Sequence, residues 1–342
     1  MKWWKRISIW ILVSLTVQCL GLFYIDHYFL ATDSKVVTKK VVEDKNVQEK
    51  SIDITVPTDA EKTLVSYDAK YLSYFQDEQL KIVNCKDGKV KTIKAEDGAK
   101  ICFSEWLPDR NRMLLVEKKS SDNSSNLILY SYDVSKDEKV KSKDLAWGGT
   151  NALVEDIQLS TLTGVTYVKV SSDNEGSIIY RIDRNADMSK INTIPKFVSN
   201  IALVRHEDKL IYEGSVYNKI YVTSRQEPIS INGVDKLKLI GTDSDDNVYI
   251  GQLKDDLVSK VYYGKTSQDI NKWKSVNLKI PCSKENLFIS SDDKVYQNDE
   301  LRGVLKDIKS GSQTTYKGKL LQLSTKGVVS LVDNKISFIP FK

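Results

Sequence analysis

Phe103-Ser104-Glu105-Trp106-Leu107-Pro108-Asp109-Arg110-Asn111-Arg112-Met113-Leu114-Leu115-Val116 decides the fold. An aromatic-rich run leads through Pro-Asp into a second apolar run. Proline presets φ at a turn and aspartate bonds its own backbone, so the stretch predicts two antiparallel strands joined by a tight turn. Outward from it, from Thr63 onward, short runs of β-branched, aromatic and leucine residues alternate with Asp, Asn, Gly and Lys. Tyr71 to Gln76, Leu80 to Asn84, Leu127 to Tyr132, Val165 to Val170, Ile178 to Ile182, Val248 to Leu253, Val258 to Tyr263 and Val328 to Val332 are clear examples. Their length and chemistry are those of strands, and no window offers an amphipathic helix. Asp87–Gly88, Asn174 to Gly176 and Lys326–Gly327 supply hairpin turns.

Paired strands recur. Their second members begin near Tyr71, Met113, Val165, Lys209, Val248, Lys294 and Val328, a spacing of roughly 43 residues, which is the period of four-stranded propeller blades. The expectation is an all-β propeller of six or seven blades over 63–342, with Thr63 to Tyr67 closing the ring as the outer strand of the last blade. A single β-sandwich would be large for this length. Phe103 to Val116 resembles the repeat of TolB-like and dipeptidyl peptidase IV N-terminal-type propellers, with Asn111 near where that family carries glycine. Thr242-Asp243-Ser244-Asp245-Asp246-Asn247-Val248-Tyr249-Ile250 resembles the turn and strand of NHL propellers. The resemblance implies no peptidase activity, because the sequence shows no hydrolase domain beside the repeats.

Before the repeats, Ile7 to Ile25 carries no charge and as a helix would rise roughly 28 Å, enough to span a bilayer. Lys2, Lys5 and Arg6 precede it and Asp26 follows, a bias that leaves residues 1–6 in the cytoplasm. Trp3, Trp4 and Trp10 suit an interfacial belt. A cleaved secretory signal would share the basic start, but no A-x-A site follows. The expected address is therefore the cell membrane, with a single-pass signal-anchor helix over 7–30 and the C-terminal domain extracytoplasmic. Residues 31–62 alternate in charge without an aromatic side chain and read as a flexible stalk.

Beyond residue 30, 48 basic side chains face 45 acidic ones, a net +3, so the surface argues against nucleic acid as a partner. An envelope protein, a peptide or a glycan is the expected class. Cys85, Cys102 and Cys282 are too few for a disulfide framework, although a Cys85–Cys102 bridge stays open. No catalytic triad, zinc spacing or phosphate loop occurs, so no catalytic residue is assigned. Asp243, Asp245 and Asn247 have the spacing that opens a calcium loop, but the glycine and the twelfth-position glutamate are missing. They stand as calcium candidates beside the alternative of a solvated turn. Trp106, Trp147 and Trp273 are candidates for stacking on a ligand, or else core residues between blades. Glu105, Glu117, Glu155, Asp156 and Glu213 could pair at a channel for hydrolase or lyase chemistry on envelope glycans.

Overall fold

The computed structural model describes residues 2–24, 51–120, 124–145, 151–172, 176–231, 233–290, 293–324 and 327–341. The chain divides into two compact units, Met1–Val47 and Gln48–Lys342. In the first, the described element is a helix, α1 (Lys2–Tyr24). Among the described residues no helix is long and apolar enough to cross a membrane, so the spanning helix expected over Ile7 to Ile25 is not borne out. Ser14, Thr16 and Gln18 interrupt the apolar run, and Ile25 lies outside the described residues. The Thr16 hydroxyl donates to the Leu12 carbonyl within the helix (2.8 Å).

The second unit holds seven antiparallel sheets. Its first strand is β1 (Ser51–Thr55). Blade 1 follows with β2 (Glu61–Val65), β3 (Tyr71–Gln76), β4 (Gln79–Asn84) and β5 (Val90–Thr92). Blade 2 contains β6 (Lys100–Trp106), β7 (Arg112–Ser120), β8 (Ser125–Asp133) and β9 (Glu138–Asp144). Blade 3 contains β10 (Leu153–Ser160), β11 (Val165–Ser172), β12 (Gly176–Ile182) and β13 (Met188–Ile191). Blade 4 has three strands, β14 (Val198–Leu203), β15 (Leu210–Gly214) and β16 (Lys219–Val222). Blade 5 is β17 (Leu237–Thr242), β18 (Asn247–Lys254), β19 (Leu257–Lys265) and β20 (Lys274–Cys282). Blade 6 is β21 (Leu287–Ile289), β22 (Val295–Asp299), β23 (Val304–Asp307) and β24 (Gln313–Thr315). Blade 7 is β25 (Lys319–Leu323), β26 (Gly327–Val332) and β27 (Lys335–Pro340).

The blade count is therefore seven. Each expected second strand starts within one residue of an observed one, from β3 at Tyr71 to β26 at Gly327. Ring closure differs from the expectation. β1, drawn from the segment read as stalk, pairs with β27 and completes blade 7, whereas Glu61–Val65 opens blade 1. The closing strand lies in a charged stretch whose apolar residues are too few to announce it.

Two-residue turns with both central φ positive close three hairpins: Asp77–Glu78, Asp255–Asp256 and Asp333–Asn334. Their twist matches that of the flanking strands. Seven apolar clusters hold the ring, one between each pair of neighbouring blades. Val116 and Leu129 of blade 2 meet Val154 and Val168 of blade 3, for example. Ile54, Val56, Val329 and Ile336 meet Val65 and Leu72 across the closure. Acidic turn residues add inter-blade bonds. Asp68 accepts from Asn111 Nδ2 (3.2 Å), Asp208 from the Tyr167 hydroxyl (2.5 Å), Asp246 from the backbone N–H of Arg205 (3.1 Å), and Asp293 from that of Ser244 (2.8 Å). The Asp208 carboxyl sits below the usual carboxylate range: burial pushes it up, but its bonds from Arg181 and Tyr167 outweigh that.

Cys85, Cys102 and Cys282 are free thiols, and burial pushes each up to about 11. They are inert packing groups. Gly318 enters β25 at φ +74°, and a Cβ there would lie 2.0 Å from the Leu331 carbonyl oxygen. Gly318→Ala is expected to cost ~2–4 kcal/mol, read as a lower urea midpoint at unchanged m-value.

Candidate functional site

The innermost strands of the blades surround a central cavity of about 530 Å³. Six of these seven strands carry a register shift: β2, β6, β10, β14, β17 and β25. A bulge bends a strand and re-aims its side chains, and here the bent strands line the axis. The walls are mixed: apolar side chains such as Leu107, Ile157, Leu159, Ile201 and Phe288 alternate with Tyr67, Gln158, Thr242 and Gln322. Among the described residues two charged ones line them: Glu105 from β6 and Arg205 from the turn after β14.

Glu105 is held by its neighbours in sequence. It pairs in the ladder with Leu114, and the next residue, Trp106, is buried with its indole N–H donating to Ser73 Oγ of blade 1 (2.9 Å). The Glu105 carboxyl has no hydrogen-bond or ion-pair partner among the described residues. Burial, and then the negative charge of Asp156 on β10, push it up to about 8. It keeps partial exposure to the channel, so channel water moderates the burial effect. Asp156 accepts from Gln158 Nε2 (2.9 Å), and burial raises it as well.

This shift has a consequence for stability. In the unfolded chain Glu105 ionises near pH 4.5, while the folded chain holds the proton to higher pH. Stability then falls as pH rises from about 4.5 to 8 and is flat above. The full shift would correspond to roughly 5 kcal/mol, and channel solvent reduces the expected loss to ~1–3 kcal/mol. Urea melts from pH 5 to 9 should show that fall, and Glu105→Gln should flatten it.

The other carboxylates singled out from the sequence are already engaged. Glu117 of β7 is buried and paired with Lys139 Nζ (2.6 Å), with the Glu96 N–H at 3.0 Å. Glu155 pairs with Lys169 Nζ (2.7 Å). Glu213 of β15, fully buried, accepts from Ser199 Oγ (2.8 Å), Asn200 Nδ2 (3.1 Å), Lys238 Nζ (2.8 Å) and the Leu239 N–H (2.8 Å). It thereby ties blade 4 to blade 5.

Asp243, Asp245 and Asn247 border a second cleft of about 700 Å³ with Tyr249, Tyr263 and Lys309. Buried Asp243 accepts from the N–H groups of Asp245 (3.1 Å) and Asn247 (2.8 Å), Asn247 Nδ2 (2.8 Å) and the Tyr249 hydroxyl (2.9 Å). Four donors fill a carboxylate's acceptor positions. Among the described residues no group of three or more His, Cys, Asp or Glu is placed to hold a metal ion. Lys309 Nζ lies 5.1 Å from the Tyr249 ring centre and 4.1 Å from that of Tyr263. Asp243 at the cleft is thus fully bonded, whereas the two charged side chains of the central channel have no described partner.

Trp273 is buried, with its indole N–H bonded to the Lys265 carbonyl (3.2 Å), and packs in the core between blades 4 and 5. Trp106 is likewise a packing residue at the channel edge. Trp147 lies outside the described residues. At the N-terminus Arg6 and Trp10 are exposed on α1, and the side chains of Lys2 and Lys5 fall outside the description. Sequence reasoning missed Arg205. Its only signal was a charge in the turn that follows a first strand.

No family model matches the chain, and no curated protein matches it in sequence. Solved structures do match. A chain of a mitotic checkpoint complex superposes with a TM-score of 0.53 at 12% identity, over 86% of this chain and 94% of that one. The β-propeller domain of Cps50 (Swd1) from Myceliophteria thermophila gives 0.50 at 10% identity, over 84% and 99%. Porphyromonas gingivalis dipeptidyl peptidase 4 gives 0.46 at 10% identity, over 73% and 44%. At these identities the likeness is one of fold alone, and that fold is the β-propeller.

Proposed function

We propose that the chain is a membrane-tethered, extracytoplasmic β-propeller that binds a protein, peptide or glycan of the cell envelope through its central channel. The observation that carries this reading is a central channel lined by two charged side chains that nothing in the described protein satisfies. A carboxyl partly withdrawn from water and without a partner is unfavourable, and a ligand would relieve it. The Phe103 to Val116 repeat supports kinship with TolB-like and dipeptidyl peptidase IV-type propellers.

Tethering rests on the N-terminal unit. Ile7 to Tyr24 has no charged residue, and Trp10, Leu12, Leu20, Leu22 and Phe23 of α1 are all more than 60% exposed. A helix that exposes this many apolar side chains suits contact with lipid. Residues 31–50, the part of the segment read as stalk that precedes β1, lie outside the described residues.

A second reading is a hydrolase or lyase acting on envelope glycans. Raised pKa values of Glu105 and Asp156 on neighbouring inner strands favour it. It requires Glu105 as proton donor and Asp156 freed from Gln158, and calcium at Asp243, Asp245 and Asn247 would be an accessory at most. Turnover of envelope glycan that disappears in Glu105→Gln would establish it over simple binding.

The test of the leading reading is fractionation and capture with the full chain. The protein should stay with carbonate-washed membranes and, once solubilised in detergent, co-purify with a specific envelope component. Release from washed membranes would remove the tether, and recovery of no specific component would remove the binding role.

A further inference from the structure

We propose that the central channel is a receptor site for a basic group on an apolar stem, an alkylammonium or alkylguanidinium, and that Glu105 is the residue that receives it. This inference rests on the reading of the channel as a binding site and names the chemistry of what enters it.

Three observations carry it. First, Glu105 reaches the channel from a strand fixed on both sides by the ladder to β7 and by the Trp106–Ser73 bond. Its carboxyl is therefore pre-positioned and yet free of any described partner. Secondly, Leu107, Ile157, Leu159, Ile201 and Phe288 give the mixed wall apolar stretches. These can accommodate a hydrocarbon stem. Thirdly, Asp156 is the charged group that acts on Glu105, and it too is acidic, with Lys169 and Lys284 acting in turn on Asp156. A cation is drawn to the Glu105 carboxyl, while an anion is repelled by it. Arg205 does not neutralise it. Glu105 stands one residue before the last ladder pair of β6, whereas Arg205 stands two residues beyond that of β14. Along the strands this is an offset of roughly 10 Å toward the turn end.

The titratable and charged groups around Glu105 are thus Tyr67 and the rim Arg205 in the channel lining, and Asp156 on β10 with Lys169 and Lys284 acting on it in turn. With its proton held to about pH 8, Glu105 must ionise as the cation arrives. Affinity should rise about tenfold per pH unit from 6 toward 8 and level off above, because only the ionised fraction binds. One proton is released for each cation bound at neutral pH.

The experiment is calorimetric titration of hexylammonium, with hexanoate as control, into the full chain in zwitterionic detergent and in buffers of different ionisation enthalpy. Wild type should bind hexylammonium in preference to hexanoate, with proton release at pH 7. Glu105→Gln should weaken binding at least tenfold and abolish the release. Arg205→Gln should bind at least as tightly as wild type, and Glu105→Asp, which keeps the charge, should keep the preference for the cation. No hexylammonium binding by wild type, equal binding of hexanoate, or Glu105→Gln binding as tightly as wild type would each overturn the proposal. If an envelope component is captured equally by Glu105→Gln, the binding role stands and this inference falls. If hexylammonium binds as stated but nothing is captured, the inference stands and the envelope partner falls.

Discussion

A chain that begins at residue 60 is expected to lose its ring, whereas one that begins at Gln48 keeps it. The difference is β1. Without it β27 presents an unpaired edge, the Val56 N–H no longer meets the Asn334 carbonyl (2.7 Å), and Ile54 and Val56 leave the cluster shared by blades 7 and 1. Burial of two aliphatic side chains corresponds to roughly 3–5 kcal/mol, against a typical total stability of about 5–15 kcal/mol. The open edge adds a template for association. Size-exclusion chromatography should show aggregate for the shorter chain, and any soluble fraction should melt at a much lower urea concentration. Equal midpoints for the two chains would mean that β1 does not close the ring.

Glu213→Ala should be the most damaging single side-chain truncation in the polar interior, at roughly 3–5 kcal/mol. The reason lies in what remains after truncation. The Leu239 N–H is left in the core without an acceptor, the Lys238 ammonium loses its partner, and the Ser199 and Asn200 donors lose theirs. Glu213→Gln keeps an acceptor oxygen and should cost less, which separates loss of the bonds from loss of volume. Thermal unfolding of the two variants beside wild type measures this. A drop for Glu213→Ala no larger than that of an exposed carboxylate such as Glu138 would contradict the assignment.

How much could be read from the sequence depended on where each strand sits in its blade. Second strands lie between neighbouring blades and are buried on both faces. β15 is buried at every position and β7 at five consecutive ones, so they appear as unbroken apolar runs. Outer strands carry almost no such signal. β5 is exposed throughout and β9 largely so, and their residues look like loops. First strands were obscured by bulges and by facing a channel whose demands are mixed. β1 was hidden for a different reason: its partner is about 280 residues away, and pairing at that range leaves no local trace.

The site was legible only as a set of candidates. Glu105, Glu117, Glu155, Asp156 and Glu213 all sit on strands and look alike in sequence, and the structure separates them by partners. Glu213 has four donors, Glu117 has a lysine, and Glu105 has none. The Asp243 motif illustrates the converse. Spacing suited to a cation became a turn that bonds itself, because Asn247 points its amide nitrogen, a donor, at Asp243. Lys309 was likewise invisible as a partner of Tyr249 and Tyr263, since it comes from the next blade.

The central claim is that the channel of the closed ring is where the partner enters. Filling it tests this most directly. Leu159 and Leu323 line the channel with partial exposure, and replacing both with tryptophan should occlude it at modest cost to packing. The full chain and the Leu159→Trp, Leu323→Trp variant, matched by thermal melt, would be compared in capture of the envelope component from solubilised membranes. The account predicts capture by the open channel and its loss in the filled one. Undiminished capture by the filled channel would contradict it and move the binding surface to the loops of the blades.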